Sequence, residues 1–276
     1  MENFNIILDW KIYNKNININ YDKILGKGEF GTVYLAYWNK TPVVVKIMNK
    51  DLTNKKENLF LKELEIMTKL HHPNIVQIFG YIEDPFGIVM EYIDNGELLD
   101  FINSKFIFQN KKINIIIDIL RALAYLHNRS PNYLIHRDIK PQNILMTKLG
   151  IPKISDFGIS RFFENNLMNE FNIEKNINKK DKTTLVGSKR YWAPEIKLKK
   201  EYDYKVDIWS AGVIFYELFE GERYIPENGF CWFNTPKNIK NIISENMIQN
   251  DPANRLNADD LIDLFKKTKK KKYFFF

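Results

Sequence analysis

Apolar and polar positions alternate around Ile24 to Leu35 and again over Thr41 to Ile47, the two-residue period of strands with one covered face, and Asn39-Lys40 between them supplies turn chemistry. Farther along, the period lengthens. Leu59, Glu63, Ile66, Met67 and Leu70 fall on one face of a helix, and Ile113 to His127 sets Ile116, Ile119, Leu120, Leu123 and Leu126 in a single stripe. Val206 to Phe219 is apolar nearly all round, and with the preceding stripe it predicts a larger helical lobe. Asp94-Asn95-Gly96 is turn chemistry, so a boundary is expected within Tyr92 to Gly96. The pattern predicts an α+β protein in which a small sheet with one helix precedes a larger, mainly helical part. Between Phe163 and Lys182 the chain is polar, of low complexity and free of Gly and Pro, and is expected to be a mobile insertion. There are no internal repeats.

At 276 residues and 45% hydrophobic, the chain can bury a substantial core and is long enough for two lobes. Its 41 basic and 34 acidic residues give a net charge of +7, which by itself would suit nucleic acid or an anionic membrane. Much of that excess sits in Asn176 to Lys182 and Lys266 to Lys272, and such runs are usually solvated surface, so no nucleic-acid partner is expected. The ending Lys272-Tyr273-Phe274-Phe275-Phe276 places aromatics beside cations, a combination suited to contact with an anionic membrane; the competing reading is a frayed helix end. A lone cysteine, Cys231, excludes an intrachain disulfide, fits a reducing compartment and is expected to serve packing. Met1 to Trp10 does not read as a secretory signal and no stretch is apolar enough to span a bilayer, so a soluble intracellular protein, of the cytoplasm or nucleus, is expected.

Chemistry concentrates in a few short strings. His136-Arg137-Asp138-Ile139-Lys140-Pro141-Gln142-Asn143, followed by Asp156-Phe157-Gly158, places a carboxylate base, a phosphate-binding cation and two metal ligands on adjacent loops, the set needed to move a phosphoryl group. Gly26-Lys27-Gly28-Glu29-Phe30-Gly31-Thr32-Val33 lies between two predicted strands, where glycines free the backbone to fold over phosphates; in dinucleotide-binding folds a similar string opens a helix instead. With Val43-Val44-Val45-Lys46 and Ala193-Pro194-Glu195, these strings resemble the protein kinase family, in the family's order, over about Ile24 to Leu264.

The resemblance implies a bilobal kinase fold: an antiparallel N-lobe at 24–90, a hinge at 91–96 and a helical C-lobe at 97–265, with 1–23 as an extension and 266–276 as a basic-aromatic tail. On it, Leu25 to Val33 form the nucleotide-covering strand and glycine loop, with Phe30 at the tip. Lys46 holds the α- and β-phosphates of ATP and Glu63 is its helix partner. Val44, where the family usually has alanine, narrows the adenine face. Met90 is the gatekeeper, Glu91 and Ile93 offer backbone groups to adenine, Glu97 lies near the ribose, and Leu145 is a further nucleotide contact. Asp138 is the base or orienting carboxylate for the acceptor hydroxyl and Lys140 steadies the γ-phosphate. Asn143 and Asp156 bind Mg²⁺, with Mn²⁺ as the alternative.

Lys140 and Ser188 mark the serine/threonine class, and Ile159 goes with threonine over serine as acceptor. His136 and Phe157 join Met67 and Ile78 in a spine, Asp207 holds the catalytic-loop backbone, and Glu195 pairs with Arg255. Arg137, aided by Arg161, would receive a phosphate on Thr184 or its rival Thr183, added by an upstream kinase or by autophosphorylation. Glu97 and Glu217 match carboxylates that favour basic substrates in some relatives, whereas Gln142 replaces a third. Lys189 stands where the family usually has proline, and Gly221 to Arg255 is short enough to imply a trimmed helix after Phe219. The expected function is a serine/threonine protein kinase acting on protein hydroxyls. The alternatives are a pseudokinase that binds nucleotide as a scaffold, a dual-specificity enzyme, or phosphorylation of a small molecule on the same fold.

Overall fold

A computed structural model describes residues 10–28, 31–49, 54–103, 107–164 and 189–270. The chain divides into two compact units: one runs to Asp94 and also takes Asp156–Gly158, and the other holds Asn95–Ser155 and the chain from Ile159 onward. The α+β expectation holds.

In the first unit β1 (Ile17–Lys27), β2 (Gly31–Trp38), β3 (Thr41–Met48), β4 (Ile78–Glu83) and β5 (Phe86–Glu91) make one antiparallel sheet in the order β1-β2-β3-β5-β4, and α1 (Asn54–Thr68) lies between β3 and β4 in the chain. Asn39 and Lys40 make the expected turn with φ of 46° and 70°, the left-handed pair that matches the twist of a two-residue hairpin. Every second residue of β3 turns inward: Val43 and Val45 join Ile12, Ala36, Ile82 and Val89 in one core cluster. That core reaches into the stretch expected to be an extension. The Ile12 amide donates to the Tyr81 carbonyl at 2.8 Å and the Tyr81 amide to the Trp10 carbonyl at 2.9 Å, so Trp10 to Ile12 covers the edge of β4. Gly80 permits this approach, because a Cβ there would stand 2.2 Å from the Trp10 carbonyl oxygen.

The second unit contains α2 (Leu98–Asn103), α3 (Gln109–His127), β6 (Asn132–Ile135), β7 (Ile144–Met146), β8 (Pro152–Ile154), β9 (Arg161–Glu164), α4 (Pro194–Lys197), α5 (Lys205–Glu220), α6 (Lys237–Asn246) and α7 (Ala258–Lys270). Two antiparallel ribbons, β6 with β9 and β7 with β8, interrupt the helical pattern that the sequence predicts. Phe163 and Glu164 belong to β9, so the start of the predicted insertion is strand; the rest of it, like the tail from residue 271, lies outside the described residues. Every residue from Val206 to Glu220 on α5 is buried, in keeping with its all-round apolar sequence. Gly221 ends that helix in a left-handed conformation (φ 75°), its amide returning to the Glu217 carbonyl at 2.9 Å. Before α6 only a 3-10 turn at Pro226–Asn228 follows. Cys231 is exposed, so it does not serve packing as expected.

Arg255, 1% exposed, donates from Nη1 to Glu195 Oε1 at 2.6 Å, from Nη2 to Oε2 at 2.8 Å, and from Nε to the Gln249 carbonyl at 2.8 Å. Removing one member of a buried pair strands the other charge, a cost of about 3–5 kcal/mol. Arg255→Met is therefore expected to lower unfolding free energy by about that amount in urea titration, and Glu195→Met added to it to recover part of the loss.

Candidate active site

The first unit carries a glycine hairpin and a buried ammonium. Strand register sets Gly26 opposite Val33 and Lys27 opposite Thr32, and the Gly28 amide closes the hairpin on the Gly31 carbonyl at 2.9 Å. Gly31 is tied to its site because a Cβ would lie 2.4 Å from the Ile47 carbonyl oxygen. Around Gly26 nothing comes within 4 Å of such a Cβ, and around Gly28 only the Gly31 oxygen does at 3.7 Å, which leaves open backbone that phosphates can approach. Leu25 is exposed, and Val33 and Val44 are half-buried. Glu29 and Phe30 lie outside the described residues.

Lys46 follows from β3 alternation and its register opposite Val33 and Ile88. Its Nζ donates to both Glu63 oxygens at 2.7 Å and to Asp156 Oδ1 at 3.3 Å. Burial works against the ammonium, but Glu63 and Asp156 more than offset it and hold the Lys46 pKa above its ordinary value. Asp156 keeps 46% of its side chain exposed, and its φ of 61° is left-handed. Phe157, Met67 and Ile78 are buried. Met90 is 9% exposed and pairs across the sheet with Val44. The Glu91 amide is committed to the Gln77 carbonyl at 2.9 Å, so of the two residues expected to offer backbone groups it has no N–H to give. Ile93 is half-buried.

The second unit carries the loop of Asp138. Lys140 Nζ donates to Asp138 Oδ2 at 2.6 Å, and Asn143 Nδ2 donates to the same oxygen and to the Asp138 carbonyl, each at 2.9 Å. Among the described residues Asp138 Oδ1 takes no donor, and the Asn143 amide oxygen stays outside these bonds. Glu97 forms an isolated bridge with Leu145; burial, with Asp100 nearby, raises its pKa against the pull of Lys140. Asp207, fully buried, fixes the loop from below: Oδ2 accepts the His136 amide at 2.8 Å and Oδ1 the Arg137 amide at 2.9 Å. The His136 ring bonds to the Ser155 carbonyl at 3.1 Å. Arg137 takes φ of 70°, and its Nε donates to the Ile159 carbonyl at 2.6 Å while Nη1 reaches the Tyr202 hydroxyl at 3.2 Å.

Two partners were invisible in the sequence. His127 Nε2 lies 3.0 Å from Asp207 Oδ2 across 80 residues of chain, and Tyr202 holds Arg137 across 65; no spacing rule links either pair. Glu217, expected to favour basic substrates, is fully buried and accepts the Tyr191 hydroxyl at 2.8 Å and the Tyr224 amide at 2.9 Å, so it offers nothing to a substrate. Arg161 lies with its guanidinium 5.7 Å from the Phe163 ring. Thr183, Thr184, Gly187 and Ser188 lie outside the described residues.

A family model of the protein kinase domain matches residues 19–273, nearly the whole chain. The chain belongs to the protein kinase family. It is 36% identical over 221 residues to the serine/threonine-protein kinase VIK of Arabidopsis thaliana, covering 78% of this chain and 48% of that protein. It is 32% identical over 208 residues to the serine/threonine-protein kinase CTR1 of the same plant, covering 73% of this chain and 24% of that protein. To the serine/threonine-protein kinase STE20 of Candida glabrata it is 32% identical over 259 residues, covering 87% of this chain and 26% of that protein. The kinase chain thus spans about half or less of the length of these relatives. A kinase domain uses ATP and a divalent ion; in the first unit the open glycine backbone, the charged Lys46 and the Asp156 carboxylate fit them, and in the second unit the Asn143 amide oxygen is of a type that fits a divalent ion. Among the described residues no helix is long and apolar enough to cross a membrane.

Burial alone would raise the Asp207 pKa, yet hydrogen bonds from His127 and the His136 amide hold it below the ordinary aspartate value. With the folded value depressed, its contribution to stability is fully present above the unfolded pKa of about 4 and is lost as pH falls through the folded value. Asp207→Asn, which turns a donor toward the amides, is expected to cost about 2–3 kcal/mol near neutral pH. Unfolding titrations should find that gap narrowing below about pH 4; a gap independent of pH would mean the buried group carries no charge.

Proposed function

We propose that this chain is a serine/threonine protein kinase that transfers the γ-phosphate of ATP, with Mg²⁺, to hydroxyls of protein substrates. The observation that carries the reading is the half-committed Asp138 carboxylate. Lys140 and Asn143 fix Oδ2, which orients the group, while Oδ1 is left for the proton of an acceptor hydroxyl. As the acceptor oxygen bonds to phosphorus and the bond to the ADP oxygen breaks, Asp138 takes the proton and Lys140 balances charge on the phosphoryl oxygens. Lys46, charged and held by Glu63, anchors the α- and β-phosphates. Asp156, of the first unit, and Asn143, of the second, are the residues that would hold the ion, whose charge would neutralise the transferring oxygens.

Lys140, two residues after Asp138, supports serine/threonine acceptors, as do the names of the three relatives. The catalytic domain is proposed to span 24–265, widened to take in the whole of β1 from Ile17 and of α7 to Lys270. Arg137 is the proposed receptor for a phosphate on Thr184, which would have to draw its guanidinium from Ile159 and Tyr202. The single cysteine is consistent with the cytoplasm or nucleus.

Incubated with ATP, Mg²⁺ and a mixed Ser/Thr/Tyr peptide library, the protein is expected to label Ser/Thr peptides, and Asp138→Asn to lower the rate at least about 100-fold with ATP affinity retained. ATP binding without transfer, in a Thr184→Glu protein as well, would refute the enzyme.

A further inference from the structure

The 3-10 turn Lys189–Tyr191 leads directly into Ala193-Pro194-Glu195, and it is rigidly held. The Tyr191 hydroxyl donates to Glu217 at 2.8 Å, and the Tyr191 carbonyl accepts the Ser210 hydroxyl at 2.8 Å. Between these anchors sits Arg190. Its Nη1 is buried without a partner, and among the described residues no hydrogen bond or ion pair engages its guanidinium. Arg255, in the same unit, places both terminal nitrogens on one carboxylate. An arginine carries five donors in a planar fork, and leaving one buried and unpaired is costly, a state that an incoming acceptor would relieve.

The surroundings specify the acceptor's charge. Glu217 is the carboxylate on which Arg190 acts, and its oxygens are already taken by Tyr191 and Tyr224. Arg223 acts on the same carboxylate and on the Tyr191 hydroxyl, and Lys189 is exposed next door. Two guanidiniums and an ammonium thus stand with Glu217, which is buried and engaged, while Glu227, the carboxylate that acts on Tyr224, also acts on Lys197. Such an excess of positive charge favours carboxylate or phosphate, which match the guanidinium fork in shape.

We infer that Arg190, with Lys189 beside it, selects protein substrates that carry an anionic side chain, carboxylate or phosphate, close to the acceptor hydroxyl. The inference rests on the kinase reading, in which this segment docks the substrate. Arg190 is then a specificity-determining residue, and the preference opposes the basic one that Glu97 and Glu217 suggest from sequence.

The test is a positional-scanning peptide library in which each position around a fixed Ser or Thr is in turn Asp, phosphoserine, Ala or Arg. Wild type is compared with Arg190→Ala, Arg190→Lys and Arg190→Glu. At one position, Asp or phosphoserine is expected to raise kcat/KM about ten-fold over Ala in the wild type, the worth of one charge-assisted hydrogen bond. Arg190→Ala should erase that ratio, Arg190→Lys keep part of it, and Arg190→Glu transfer the preference to Arg, a gain that misfolding cannot produce. Asp equal to phosphoserine identifies acidic substrates, and phosphoserine alone identifies primed ones. An absent preference, or one unchanged in Arg190→Ala, overturns the inference while transfer itself upholds the kinase reading. Loss of the wild-type preference on phosphatase treatment, with phosphate found on Thr183 or Thr184, also overturns it, since the anion would belong to this chain. No transfer to any peptide overturns both.

Discussion

Asp207 is a buried carboxylate that no Lys or Arg side chain neutralises among the described residues; three N–H groups do it instead, the amides of His136 and Arg137 and the His127 ring. Charge-assisted bonds of this kind are roughly twice as strong as neutral ones, and here two of the three go to consecutive amides of one loop. Their direction decides the backbone. Arg137 adopts φ of 70°, a conformation that costs a residue with a side chain on the order of 1–2 kcal/mol. It persists because its amide is held by Asp207 and its guanidinium by Ile159 and Tyr202. Asp138 comes next in the chain, so the placement of its carboxylate follows from a fully buried group.

The helix that supplies Asp207 does the same work along its length. α5 is buried from Val206 to Glu220, and a helix so enclosed must satisfy each polar side chain within the protein. Trp209 Nε1 is the exception, buried without a partner among the described residues; Asp207, Ser210, Glu217 and Glu220 each anchor another segment. Ser210 bonds to the Tyr191 carbonyl, and Glu217 to the Tyr191 hydroxyl and Tyr224 amide. Glu220 collects the amides of Phe233, Asn234 and Thr235, at 3.0, 2.8 and 3.0 Å. The loop that leads to Asp138, the turn at Tyr191 and the loop before α6 are therefore positioned by one rod. The Gly221 turn closes it, so the last of these anchors stands at the helix end, where the chain reverses.

This layering explains what could be read in advance. Alternation over Thr41 to Ile47 and the all-round apolar run of α5 follow from local burial, and both elements sit where their periods put them. The Lys46 to Glu63 pair was legible only because the glycine string and the strand lysine come in a recognisable order. Strands β7 and β8 have three residues each, too few for a period to register, so a ribbon was hidden inside a helical forecast. β1 begins at Ile17, seven residues ahead of the alternation, because Asn and Lys dilute the apolar signal there. Glu217 shows the limit of matching by position. Its identity suggested a substrate contact, but burial against Tyr191 makes it a structural acceptor, and no one-dimensional pattern reports which neighbour arrives first.

Lys46 shows how a buried cation can be fixed and still be exchangeable. An ammonium at 8% exposure needs its three donors matched, and Glu63 answers with both oxygens at 2.7 Å from a fully enclosed position on α1. Asp156 answers from 3.3 Å with nearly half its side chain in solvent. The two contacts therefore differ in strength by design of burial: the enclosed one is stiff, while the open one lies beyond the usual length of a charge-assisted bond. A competing anion displaces the weaker partner first. Lys46 Nζ can thus donate to a competing anion in place of Asp156 without leaving Glu63, so the exchange strands no buried ammonium.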